Sequence, residues 1–263
     1  MSIAGFRNES QLWFDRVSQV YAATRESNGE SVEIVVFTGA NSAKIDDVLE
    51  EINRLTELNS YHITPCIEAG TTGDGQTYVV YPTPGGRRLA EVIAEKGSLP
   101  TETLCSVGLQ IARTLTAVHS IGITHGELNA NAIYLTRREE TPLIQISRFG
   151  LRHLLPVYAR NVRTEHFYGT AAYMSPELCG GKPSDHRSDI YSLGILLYEM
   201  VAGKAPFVSK SYTTTLKRQI YEKPLPLHLV KPGLPHVADL EAIINRAVQK
   251  NPEQRPESSS ELL

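Results

Sequence analysis

Three kinds of side chain in this 263-residue chain could carry chemistry: the thiols, and a carboxylate and a guanidinium in two short motifs. Cys66, Cys105 and Cys179 are odd in number, far apart and in no Cys-x-x-Cys pair. That spacing argues against structural zinc and against a disulfide framework. Reduced thiols fit a cytoplasmic chain best. Glu127, in His125-Gly126-Glu127, is a carboxylate able to orient a hydroxyl group. Arg148, in Arg148-Phe149-Gly150, offers positive charge to a phosphate.

Regular elements must hold these groups in place. Val32 to Phe37 is a β-branched run suited to a strand. Ile45, Val48, Leu49, Ile52, Leu55 and Leu58 recur at helical spacing, with acids and Arg54 on the other face. Gly70 to Gly75 has turn composition, and Tyr78-Val79-Val80-Tyr81 follows as a strand. Pro82-Thr83-Pro84-Gly85-Gly86 can neither extend that strand nor begin a helix, so it reads as a connector. Beyond it the chain turns helical. Leu104, Val107, Ile111, Leu115 and Val118 form one stripe, Ser188 to Val201 is apolar on nearly all sides, and Leu240, Ile243, Ile244 and Val248 mark a further helix. A net charge of -3 with both signs dispersed gives no footprint for nucleic acid or a membrane surface. No apolar run approaches a membrane span.

Four segments, in order, resemble protein kinase motifs. They are His125 to Ile133, Gly169 to Glu177, Ser188 to Gly194, and Asn251-Pro252-Glu253-Gln254-Arg255-Pro256. The resemblance is closest to bacterial kinases of the eukaryotic Ser/Thr type and spans roughly Trp13 to Leu263. It implies an α+β, bilobal protein kinase-like fold: a small β-rich N-lobe with one main helix, and a large, mostly helical C-lobe. It places the N-lobe at 1–82, the hinge at 83–86 and the C-lobe at 87–263, together one domain of a longer protein.

The resemblance also assigns positions. Glu177 and Arg255 would pair; Asp189 would accept backbone hydrogen bonds from the loop at His125; Cys66, Leu55, Phe149 and His125 would stack between the lobes, with Gly150 completing the motif. Phosphoryl transfer is mostly positioning and charge neutralisation, and at the positions that supply these the chain departs from the family. Trp13, Asp15 and Ser18 fall where glycines close over phosphates, just before Val20. Val35 stands for the phosphate-pairing lysine and Glu33 for a small residue over the adenine. Tyr81 is a large gatekeeper. Pro84 lacks the N–H that would donate to the base, and Tyr134 replaces an aliphatic residue beneath it. Gly126 and Glu127 stand for the Arg-Asp of the catalytic loop, Asn129 for its lysine, Ala132 for a metal-binding Asn, and Arg148 for a metal-binding Asp. Glu51 corresponds to the helix glutamate and reads equally well as a solvated acid. With Val35 unable to pair it, Arg148 is expected to reach Glu51 and fill the cleft; the alternative is an Arg148 that points to solvent.

From these replacements the expectation is a pseudokinase: a non-catalytic protein-interaction or regulatory module with no or very weak Mg-ATP binding and no cofactor expected. The alternatives are a metal-independent nucleotide sensor, or an atypical kinase or nucleotidyl-transferring enzyme using Glu127. Expected partners are proteins: an active kinase, a phosphoprotein-binding domain, or other domains of the same polypeptide. Thr164, Tyr168 and Thr170 are possible phosphorylation sites, with Arg152, Arg160 and Arg163 as basic neighbours.

Overall fold

The computed structural model describes residues 3–14, 18–37, 45–138, 141–154 and 171–262. Asp15, Lys44, Thr164, Tyr168, Thr170, Arg160, Arg163 and Leu263 lie outside the described residues, as does the side chain of Trp13.

A five-stranded sheet forms the first layer. Its strands are β1 (Phe6–Phe14), β2 (Ser18–Arg25), β3 (Ser31–Phe37), β4 (Glu68–Thr71) and β5 (Thr77–Pro82), in the order β1-β2-β3-β5-β4. All neighbours are antiparallel, with Val20 opposite Val35 and Glu33 opposite Tyr81. Strand side chains alternate between faces. Val32, Ile34, Val36 and Val80 therefore join one apolar cluster, while Val35, Phe37, Val79 and Tyr81 join another with Val48 and Ile52 of α1 (Ile45–Glu57). Burial on both faces explains why β3 is apolar without a break, except at Glu33.

The connector at 83–86 leads to a second, three-stranded sheet of β6 (Arg87–Arg88), β7 (Ile133–Arg138) and β8 (Thr141–Ile146). The helices α2 (Leu89–Lys96), α3 (Thr101–Ser120) and α6 (His186–Ala202) surround a large core. All five residues of the expected α3 stripe are buried. Asp185 caps α6 by accepting from the Arg187 N–H, and α6 is buried on almost every side. Gly194 lets α6 approach α9 (Val237–Ala247) closely, since a Cβ there would lie 2.6 Å from that of Ala247. The helices α4 (Leu151–Leu154), α5 (Pro176–Cys179), α7 (Tyr212–Tyr221) and α8 (Leu227–Val230), with 3-10 turns at Pro252–Gln254 and Ser259–Leu262, complete the described elements. The result is the expected α+β fold, with a β-rich N-lobe carrying one main helix and a helical C-lobe.

Candidate functional site

The loop at His125 is fixed from below. Asp189, near the start of α6, accepts from the N–H groups of His125 at 2.7 Å and Gly126 at 2.8 Å, and from His119 Nε2 at 2.9 Å. Burial alone would raise the Asp189 carboxyl pKa, but these donors hold it below its ordinary value. His125 is locked in one tautomer. Its Nε2–H donates to the Ser147 carbonyl at 2.9 Å, which leaves Nδ1 to accept from the Glu127 N–H at 3.2 Å. Burial pushes the His125 pKa down and keeps the ring neutral. Asn129 braces the same loop, donating to the Glu127 carbonyl at 2.7 Å and accepting from the Asn131 N–H. The backbone of Glu127 is thus anchored on both sides.

The stack between the lobes is assembled in part. The rings of His125 and Phe149 lie 4.7 Å apart, and Leu55 shares a core cluster with Phe149. Cys66 packs instead in the N-lobe cluster with Val20, Val35 and Tyr81. The Tyr81 hydroxyl donates to the Phe149 carbonyl at 2.7 Å, tying the strand before the connector to this motif. Ala132 and Pro84 are buried, and Gly150 has a positive φ of 85°. At the far end of the C-lobe, Arg255 binds Glu177 with two bonds of 2.7 Å each, and Ser188 donates to the same carboxylate. These donors outweigh the effect of burial and bring the Glu177 pKa down to about 2.

The expected Arg148–Glu51 pair is absent. Arg148 Nη2 donates to Glu33 Oε2 at 3.1 Å, while Glu51 Oε2 takes Arg152 and His153 of α4, each at 2.7 Å. The reason is electrostatic. Glu33 lies in an apolar strand at 2% exposure, and a buried carboxylate needs cationic partners. Arg148 supplies one, and Arg88 at the edge of β6 supplies another. Arg88 and the Tyr134 hydroxyl both donate to Glu33 Oε1, and Arg88 Nε donates to Tyr134 at 3.1 Å. Burial would raise the Glu33 pKa, but Arg148, Arg88 and Tyr134 together hold it below the usual carboxylate range. Arg148 adopts φ 70°, a left-handed conformation costing about 1–2 kcal/mol for an ordinary residue.

Arg88 and His153 were not identified from sequence, and Arg152 was read only as a basic neighbour of possible phosphorylation sites, not as a partner of Glu51. For Arg88 the lone acid in β3 was the available signal, because its burial demands cations from elsewhere in the fold.

Mg-ATP is the cofactor that the kinase resemblance implies. In this conformation the side chains at the mouth of the cleft pair with one another: Glu33 with Arg148, Arg88 and Tyr134, and Glu51 with Arg152 and His153. Among the described residues no group of three or more His, Cys, Asp or Glu side chains is placed to hold a metal ion. The closed arrangement does not fit a metal-bound nucleotide without moving.

The protein kinase domain family matches residues 8–263. A probable serine/threonine-protein kinase of Clostridium perfringens is 31% identical over 81% of this chain and 30% of its own length. A probable PknB kinase of Corynebacterium glutamicum is 29% identical over 94% of this chain and 39% of its own. The PknK serine/threonine-protein kinase of Mycobacterium bovis is 27% identical over 98% of this chain and 23% of its own. The chain spans well under half the length of these relatives.

These matches correct two expectations. The reading as a non-catalytic pseudokinase is contradicted by similarity to proteins named as serine/threonine kinases. The expectation of no ATP and no Mg falls with it, because kinases normally use both. The physical reason is that a replaced motif residue does not by itself measure lost transfer. Transfer depends on total charge and positioning, which other side chains can supply.

Proposed function

Because this chain belongs to the protein kinase family, we propose that it acts as a serine/threonine protein kinase domain on hydroxyl groups of protein partners. The observation that carries this reading is the anchored loop around Glu127. Asp189 holds the two residues before it, and His125 Nδ1 accepts its own N–H. A carboxylate on so fixed a backbone is suited to orient a substrate hydroxyl and take its proton. The nucleotide, when bound, supplies the phosphoryl group.

The other positions follow as roles. Leu55, Phe149 and Gly150 join the lobes, Cys66 fills the N-lobe side of the cleft, and Glu177–Arg255 braces the end of the activation segment. Val20, Val35, Tyr81, Pro84, Tyr134 and Ala132 shape the cleft, and Gly126 leaves room beside Arg152. The lobes divide at the connector 83–86, and the domain works in the cytoplasm on protein partners. Among the described residues no helix is long and apolar enough to cross a membrane.

The test is transfer of labelled phosphate from ATP, with Mg²⁺ or Mn²⁺, to the domain itself and to a generic Ser/Thr protein substrate. Transfer is expected in the natural sequence and should fall roughly a hundredfold in Glu127→Ala. No transfer to either acceptor would overturn the reading.

A further inference from the structure

We propose that Glu33 and Arg148, with Arg88 and Tyr134, form an autoinhibitory latch that holds the lobes closed and must part before the cleft is filled. The inference deepens the kinase reading and rests on it for the ligand. Its physical basis is separate.

The latch crosses the lobes at their junction. Glu33 belongs to β3 of the N-lobe, while Arg88, Tyr134 and Arg148 come from the edge of β6, from β7 and from just after β8, all beyond the connector. Every partner of the Glu33 carboxylate recorded above is therefore across the cleft. Oε2 takes Arg148 at 3.1 Å, and Oε1 takes Arg88 and Tyr134. Glu33 is 2% exposed and Arg148 4%, so solvent screens the pair little. Arg148 is held in a left-handed backbone conformation, and the latch contacts help to offset that strain.

The latch is also suited to release. Two guanidiniums share the Glu33 carboxylate, and Arg88 also reaches the more exposed Glu91 at 3.3 Å, so Arg88 keeps a carboxylate partner when Glu33 leaves. A guanidinium binds a phosphate oxygen in the same planar geometry as a carboxylate oxygen. A nucleotide whose base entered between β3 and Tyr134 would displace the Glu33 carboxylate, and a phosphate oxygen could then replace it on Arg148. The buried Glu33 must then find water or swing out with the N-lobe. The fraction of molecules with the latch parted sets the apparent nucleotide affinity.

Glu33→Gln keeps the shape of the side chain and removes the charge that binds Arg148. Nucleotide binding would be titrated with a fluorescent ATP analogue in the full chain, with and without Mg²⁺. Amide hydrogen exchange would be followed at residues 83–88 and 147–150. The latch predicts affinity tightened by about tenfold or more, with faster exchange at both segments. Tyr134→Phe, a milder change that removes one donor, should move both readouts the same way by less. Unchanged affinity and unchanged exchange in both variants would overturn the latch. So would slower exchange in Glu33→Gln. Tighter binding without phosphate transfer would leave the latch standing and remove the kinase reading, so the two failures are distinguishable.

Discussion

Glu51 of α1 is bound by Arg152 at 2.7 Å and not by Arg148, the arginine nearer to the cleft motif. Arg152 also donates to Thr124 beside the loop at His125, and His153 reaches the same Glu51 oxygen at 2.7 Å. Helix α1 is thereby pinned to α4, the first turn after Arg148-Phe149-Gly150. Burial would raise the Glu51 pKa, but His153 and Arg152 hold it below its ordinary value.

Removing this clasp should loosen α1. Arg152→Ala leaves Glu51 with His153 alone, and Glu51 Oε1 is already buried without a hydrogen-bond partner among the described residues. A loss of about 1–3 kcal/mol is expected, seen as a melting temperature lower by several degrees. The carboxyl pKa is depressed on folding, so this contribution is present above the ordinary value of 4.5 and fades as pH falls below it. Equal melting temperatures for Arg152→Ala and the natural sequence at pH 7 would mean that the clasp stabilises nothing.

The Glu177–Arg255 pair gives a sharper acid signature. Its carboxyl pKa falls from 4.5 to about 2 on folding. A depressed acid stabilises above its unfolded pKa and loses that contribution as pH drops through the folded value, so the window runs from 4.5 down to about 2. The full contribution is about 3 kcal/mol. Arg255→Ala strands a buried carboxylate and should cost about 3–5 kcal/mol at neutral pH. Urea unfolding of both proteins at several acidic pH values checks this: the gap between them should narrow toward the low end of the window. A gap independent of pH would contradict the pairing.

These two pairs also show what the sequence made legible. Glu177 and Arg255 sit in motifs whose neighbours fix their register, and both residues meet as expected. The α1 and α3 stripes and the β3 strand were readable because periodicity records which face is buried. The cleft was less legible because charge pairing is decided in three dimensions. Arg148 had two buried acids within its lobe-joining region, and periodicity does not rank Glu33 above Glu51. Arg88 and Arg152 sit on exposed-looking segments where an arginine is normally solvated. Only the assembled fold shows that two buried carboxylates recruit them.

Gly126 tests how closely α4 packs on the loop that carries Glu127. Its φ is 75°, and a Cβ there would lie 2.9 Å from the Cβ of Arg152. Gly126→Ala is therefore strained in backbone and in space. It should destabilise the domain by about 1–2 kcal/mol from the backbone alone, and more if Arg152 cannot withdraw. Combining it with Arg152→Gly, which removes that Cβ, makes the separation visible by chemical denaturation. The contact predicts a double variant more stable than the sum of the single losses, and strict additivity would argue against it.

Asp189 joins stability to the proposed chemistry. Its two oxygens accept from the His125 and Gly126 N–H groups and from His119, so both oxygens are engaged by donors. Asp189→Asn replaces one acceptor oxygen by an NH₂ that must face one of those donors. One buried donor loses its partner, at a cost of about 1–3 kcal/mol, and the loop that carries Glu127 loses one anchor. Thermal unfolding should register the first effect. The second should lower phosphate transfer to a protein substrate at temperatures where the variant is still fully folded, because misplacing a catalytic carboxylate is costly even in a stable fold. His119→Gln supplies the control: it weakens the same carboxylate network without touching the backbone donors of the loop. It should lower the melting temperature while leaving transfer closer to that of the natural sequence. Equal losses of transfer in the two variants at matched stability would place the effect in the fold as a whole and not in the His125–Asp189 anchor.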